Sequence, residues 1–153
     1  MKVSQIMRQP VISMREDDTL EEAARVMLEN KLRGVPVVDE RGQISGFVSV
    51  SDYLAKDKVL PFSRFHAPQL FGKWIGQEGI EKIYEEARTT PVRDIMSTNV
   101  ISVTEDDPVE KVIELMVRRN LNRIPVVRDG VPIGIVARYD LLRIMVREEG
   151  EPK

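Results

Sequence analysis

Two aspartates end closely similar segments, Gly46 to Asp52 (GFVSVSD) and Gly134 to Asp140 (GIVARYD), and they are the most chemically suggestive carboxylates in the chain. An aspartate where a strand gives way to a helix can accept orphan backbone N–H groups and complement the positive end of the helix dipole. Hydroxyls at Ser49 and Ser51 accompany the first aspartate, whereas the second has Ala137 and Tyr139 in the same places, with Arg138 between them. Arg118, Arg119, Arg123 and Arg128 cluster shortly before the second segment. Their planar forks suit phosphate oxygens, and at a helix end they equally serve as solvated partners of the dipole. His66, with Ser63 and several carboxylates nearby, has no nucleophile motif or metal spacing around it, so the chain is not read as an enzyme.

The elements that must position these residues occur twice. Val3 to Leu54 recurs as Val92 to Leu142 at an offset of about 89 residues, with roughly 20 of about 50 positions identical. In each copy a short apolar stretch (Val11, Ile12, Met14; Val100, Ile101, Val103) precedes a helical stripe. The stripes are Leu20, Ala23, Ala24, Met27, Leu28 and Val109, Val112, Ile113, Met116, Val117, and both are expected to face the core. Asp18 with Glu21, and Asp107 with Glu110, read as capping boxes, with Pro108 at the first helical position. Two strands then form a hairpin through Arg41-Gly42 or Asp129-Gly130, and Ser51-Asp52 and Tyr139-Asp140 open a closing helix.

The copies divide the chain into residues 1–54, an insertion at 55–91, residues 92–148 and an acidic tail at 149–153. The insertion holds Phe62, Phe65, His66, Phe71, Trp74 and Tyr84. Its end, GIEKIYEEAR, has helical spacing, while LPFSRFHAPQLFGKW carries too many breakers for one regular element. A lid, packing element or partner surface is the expectation there. Two homologous halves are expected to pack about a pseudo-twofold axis with paired clefts.

Composition excludes several chemistries. With no cysteine there is no disulfide, thiolate nucleophile or thiolate metal site, and one histidine cannot build a histidine cluster. A net charge of −2 with 31% charged residues argues against wholesale nucleic-acid binding. The first residues lack a signal-peptide core, and no apolar run is long enough for a membrane span, so a cytoplasmic protein is expected.

The repeats resemble cystathionine-β-synthase-type (CBS) domains, paired as in a stand-alone Bateman module. The resemblance rests on the opening motifs at Ile6 to Ser13 and Ile95 to Ser102, the h-P-V-V strands at Val35 to Val38 and Ile124 to Val127, and the G-h-V-x-x-x-D segments. It implies an α+β fold of two β-α-β-β-α units and two clefts for an adenosine-containing ligand such as AMP, ADP, ATP or S-adenosylmethionine. It also implies a regulated partner protein and a homodimer. By resemblance, the Asp holds the ribose hydroxyls, with the residue three before it helping. A carboxylate receiving two hydroxyl donors makes charge-assisted hydrogen bonds.

On that pattern one cleft takes Ser49, Ser51, Asp52, Asn99, Val100, Ile101, Asn122, Arg123 and Ile124. The other takes Pro10, Val11, Ile12, Arg33, Gly34, Val35, Arg138, Tyr139 and Asp140. Ala137 departs from the motif and removes a polar contact from the second cleft. The alternative is a protein-interaction scaffold with degenerate clefts.

Overall fold

A computed structural model describes the backbone of residues 1–59, 66–70, 73–74, 85 and 87–146, and the side chains of 1–53, 85 and 87–146. In the first copy, β1 (Met14–Arg15) lies parallel to β2 (Gly34–Val38), and β2 pairs antiparallel with β3 (Ile44–Ser49). Helix α1 (Leu20–Glu29) connects β1 to β2, and α2 (Val50–Tyr53) follows β3. A second sheet then runs β4 (Leu54–Val59), β5 (His66–Leu70), β6 (Lys73–Trp74), all antiparallel. The second copy repeats the first sheet with β7 (Val103–Thr104), β8 (Arg123–Arg128) and β9 (Val131–Ala137). There α3 (Val109–Arg118) precedes β8, and a 3-10 helix (Arg138–Ile144) closes the copy. The α+β repeat expected from the sequence is therefore present.

The chain forms two compact units, and neither coincides with a sequence copy: Met1–Ile12 belongs with Ile101–Lys153, and Ser13–Val100 forms the other unit. Each copy lends its opening arm to the other copy's sheet. In the first unit, Val3, Ile6 and Met7 of the arm are buried with Val103, Val109, Val112, Met116, Ile124, Val126 and Val136. Val3 N–H donates to Asp107 O at 2.9 Å, and Arg8 exchanges backbone hydrogen bonds with Ile135 at 2.9 and 3.1 Å. In the second unit, Val92 is buried with Met14, Leu20, Ala23, Met27, Val35, Val37 and Val48. There Ser97 and Phe47 exchange the corresponding bonds, both at 2.9 Å. Glycine is required where the arms cross the hairpins. A Cβ on Gly134 would come within 2.9 Å of Met7 Sδ and 3.0 Å of Arg8 O, and one on Gly46 would collide with Met96 Sδ.

Several local expectations are corrected. Helix α1 is capped by Thr19, whose Oγ1 accepts Glu22 N–H at 3.1 Å while Glu22 accepts Thr19 N–H at 2.8 Å. Asp18 instead closes the preceding turn by accepting Arg15 N–H at 2.7 Å, and Asp107 accepts Thr104 N–H at 2.8 Å. That backbone donor, followed by Lys111, holds the Asp107 carboxyl below its usual range. Pro108 is the N-cap residue itself, with an extended backbone and no side chain to cap with. The first strands begin at Met14 and Val103, later than the apolar stretches suggest.

The helical stripes are narrower than read: Leu28 and Val117 are 79% and 73% exposed. Eight residues on, each lies about 80° round the helix from Leu20 or Val109. In the first copy the closing helix stops at Tyr53 and the chain enters β4. The insertion, expected to be helical or irregular, supplies the β4–β5–β6 sheet. Its register skips Pro68, which has no N–H to donate. Glu85 and Ala87 are helical, as their spacing predicts, while Phe62, Ser63, Phe65, Phe71 and Tyr84 lie outside the described residues.

Candidate functional site

The two carboxylates of the repeated segments arise from one local device used twice. At the end of β3, Asp52 Oδ2 reaches back to accept Ser49 N–H at 2.7 Å. At the end of β9, Asp140 Oδ2 accepts Ala137 N–H at 2.8 Å. The aspartate is thus the third residue of its turn and satisfies the backbone N–H that opens it. The hairpin registers pair Gly34 with Ser49 and Arg123 with Ala137. Val50 N–H donates to Arg33 O and Arg138 N–H to Asn122 O, both at 3.0 Å. Each carboxylate turn therefore lies beside the residues that precede the h-P-V strand of its own copy. Arg33 and Gly34 accompany Asp52, and Asn122 and Arg123 accompany Asp140, a grouping opposite to that drawn from the resemblance.

The opening arms follow the sequence grouping more closely. Asn99 and Val100 are in the unit of Asp52, just beyond the Ser97–Phe47 bridge. Pro10, Val11 and Ile12 are in the unit of Asp140, just beyond the Arg8–Ile135 bridge. Val11 and Val100 are half-buried, while Pro10, Ile12 and Asn99 are exposed. Ile101 opens the unit of Asp140 and is half-buried, whereas Val35 and Ile124 have no exposed surface and belong to the cores.

The polar surroundings differ sharply. Around Asp52, Ser49 Oγ donates to Oδ2 at 3.1 Å and lies 2.8 Å from Ser51 Oγ, so two hydroxyls and a half-exposed carboxylate share one turn. Asp140 is fully buried, and its Oδ1 accepts Arg8 Nε at 2.6 Å. A buried carboxylate requires such pairing, because an unpaired charge removed from water is costly. Arg8 lies over the ring of Tyr139, 5.9 Å from its centroid, and Tyr139 is 72% exposed. The sequence reading missed Arg8. Its signal was the contrast with Ser97, the residue at the equivalent place in the second arm.

Other arginines singled out by sequence are engaged structurally. Arg138 donates to Leu121 O at 2.9 Å and Met116 O at 3.1 Å, covering carbonyls at the end of α3. Arg118 pairs with Glu114 at 3.0 Å, and Arg128 makes a two-pronged contact with Glu105 at 2.8 Å on each side. Arg118 and Arg128 of the arginine cluster are thus paired with carboxylates, which weakens any phosphate-backbone footprint. Among the described residues, no group of His, Asp and Glu is arranged to hold a metal ion, and no helix is long and apolar enough to cross a membrane.

Tyr53, directly after Asp52, donates to Leu20 O at 2.7 Å. Burial, and then the charge of Asp52, push its phenol up to about 12 from an ordinary 10.0. The folded state therefore holds this proton more tightly than the unfolded chain. The stability it contributes is present below about pH 10 and is lost as pH rises toward 12. Tyr53→Phe is expected to cost about 1 kcal/mol at neutral pH through the lost hydrogen bond. It should also flatten the alkaline decline, read by urea unfolding from pH 8 to pH 11.

Comparison with known proteins places these features in a family. The CBS domain family model matches residues 3–58 and 92–147. An uncharacterized protein of Methanocaldococcus jannaschii is 32% identical over 95% of this chain and 92% of its own length. Among solved structures, the CBS domain of a CBS domain containing membrane protein from Sphaerobacter thermophilus is 31% identical. It superposes with a TM-score of 0.74 over 97% of this chain and 90% of that one. Two others share the fold at 24% identity. They are the CBS domain pair of protein MJ0100 in complex with 5-methylthioadenosine and S-adenosyl-L-methionine (TM-score 0.67, 95% of each chain) and CBSX2 in complex with AMP (TM-score 0.68, 94% and 95%).

Proposed function

The chain belongs to the CBS domain family, and on that premise we propose that it is a regulatory module. It binds an adenosine-containing ligand, AMP, ADP, ATP or S-adenosylmethionine, and passes that occupancy to a partner protein. The observation that carries this reading is the turn of Ser49, Ser51 and Asp52, where a half-buried carboxylate and two hydroxyls are linked by hydrogen bonds at the end of the strand. Such a group suits a ribose diol, whose two O–H donors need a charged acceptor. Relatives of the same fold were solved with AMP and with S-adenosylmethionine, which supports the ligand class. In this reading Arg33, Gly34, Asn99 and Val100 complete the first site, and Asp140, Tyr139, Asn122, Arg123 and Pro10 to Ile12 form the second. Ligand occupancy shifts the populations of the module's conformations by its differential affinity for them.

The same proposal includes a homodimer. It includes action by binding rather than catalysis, and a cytoplasmic location. A second reading, an interaction scaffold with degenerate clefts, is favoured by Ala137 and by the burial of Asp140 under Arg8.

Thermal unfolding with AMP, ADP, ATP, S-adenosylmethionine and GTP, each alone, separates the two. At about 100 times its Kd a ligand stabilises by roughly 2.7 kcal/mol, which raises the Tm by roughly 5 to 10 °C in a domain of this size. A selective shift with an adenosine compound is expected. No shift, in folded protein freed of nucleotide, overturns the sensor in favour of the scaffold.

A further inference from the structure

The two carboxylate turns share a backbone but differ in the residue that the opening arm sets beside them. At the position where one arm carries Arg8, the other carries Ser97, and both residues make the same backbone bridge to their hairpin, to Ile135 and Phe47 respectively. The Arg8 side chain is therefore an addition to a device that closes without it. Arg8 meets Asp140 through Nε alone, at 2.6 Å. Its two terminal nitrogens make no hydrogen bond among the described residues, and its side chain is 46% exposed while that of Asp140 is fully covered. The guanidinium thus occupies the carboxylate oxygen that a diol would seek, with its Cζ 5.9 Å from the Tyr139 ring centroid and Arg143 Nε farther from the same oxygen, at 3.9 Å.

We propose that Arg8 sets the ligand selectivity of the Asp140 turn, discriminating against a neutral nucleoside and favouring a phosphorylated one. A nucleoside has only hydroxyls to offer and must compete with Arg8 for Asp140 Oδ1. A nucleotide brings a phosphate that the two terminal nitrogens, which hold no hydrogen bond among the described residues, receive in the parallel two-oxygen geometry suited to arginine. The arm beside Asp52 carries Ser97 in the equivalent place, so an arginine supplied by the arm is particular to the Asp140 turn. This inference rests on the ligand reading above and adds the arm residue that tunes the Asp140 turn.

The test uses the full chain with Asp52→Ala, so that only the Asp140 turn is read, and titrates AMP and adenosine by calorimetry. AMP is expected to bind at least ~10-fold more tightly than adenosine. Adding Arg8→Ser should raise adenosine affinity and lower AMP affinity, bringing the ratio toward one. Arg8→Lys, which keeps the charge if the serine variant fails to fold, should keep the ratio on the side of AMP. An unchanged ratio in folded Arg8→Ser protein overturns the role of Arg8. So does loss of all binding in Asp52→Ala protein when the parent binds AMP, since the Asp140 turn would then hold no ligand. If the parent itself binds neither compound, the ligand reading falls first and takes this inference with it.

Discussion

Asp52→Ala is expected to weaken AMP binding at its own turn by at least ~100-fold and to remove one binding event from a calorimetric titration. The magnitude follows from the chemistry: two hydroxyl donors to one carboxylate contribute about 1.5 to 3 kcal/mol each, and about 2.7 kcal/mol is already a factor of 100. Asp52 also accepts Ser49 N–H and Ser49 Oγ, so its removal costs stability of the order of a lost helix cap, about 1 kcal/mol. Asp52→Asn separates the two roles. The amide oxygen still accepts from Ser49, whereas the charge that holds a diol is gone. Binding loss with little change in Tm for Asp52→Asn would assign the carboxylate to the ligand. Unchanged stoichiometry and affinity in both variants would assign it to the turn alone.

Ile6→Ala is expected to destabilise the unit that contains the second copy's sheet, although Ile6 belongs to the first copy. Ile6 is 1% exposed among Val103, Val112, Met116 and Ile124 and their neighbours. Truncating a buried isoleucine costs about 2 to 5 kcal/mol, a fall in Tm of roughly 4 to 20 °C. Hydrogen exchange gives the sharper reading. Amides of Ile124, Val126 and Val136 should lose protection, while those of Val35, Val37 and Val48, in the other unit's core, keep theirs. Loss confined to Val35, Val37 and Val48 would contradict the exchange of arms. A change below about 0.5 kcal/mol would show the arm to be peripheral.

The hairpins were legible because their determinants are local. The apolar runs IPVV and IGIVA, flanking Asp129 and Gly130 that are both at positive φ, specify a tight turn within a dozen residues. The helix starts were legible only to within a residue. Asp18 and Asp107 are good caps by type, yet each satisfies the turn before its helix, and Thr19 with Glu22 takes the cap in the first copy. The insertion's sheet was hidden because Pro61, Pro68 and Gly72 argue locally against a regular element. Tertiary pairing tolerates Pro68 where the register skips it.

Recognition of the aspartate turns came from their repetition and family pattern, but their partners did not. Which arm packs on which hairpin is a long-range choice with no local signature, so the pairing of Arg8 with Asp140 is visible only in the fold. The same applies to Arg138, whose place in the motif suggests a ligand and whose guanidinium instead covers the end of α3.

The central claim, that the Ser49–Asp52 turn receives an adenosine compound, is tested most directly by titrating AMP into 15N-labelled protein and following the backbone amides. The account predicts saturable shifts centred on Ser49, Ser51 and Asp52, shared by Arg33, Gly34, Asn99 and Val100 of the same unit. A protein that stays folded and shows no saturable shift at those amides, or shows it only elsewhere in the chain, would contradict it.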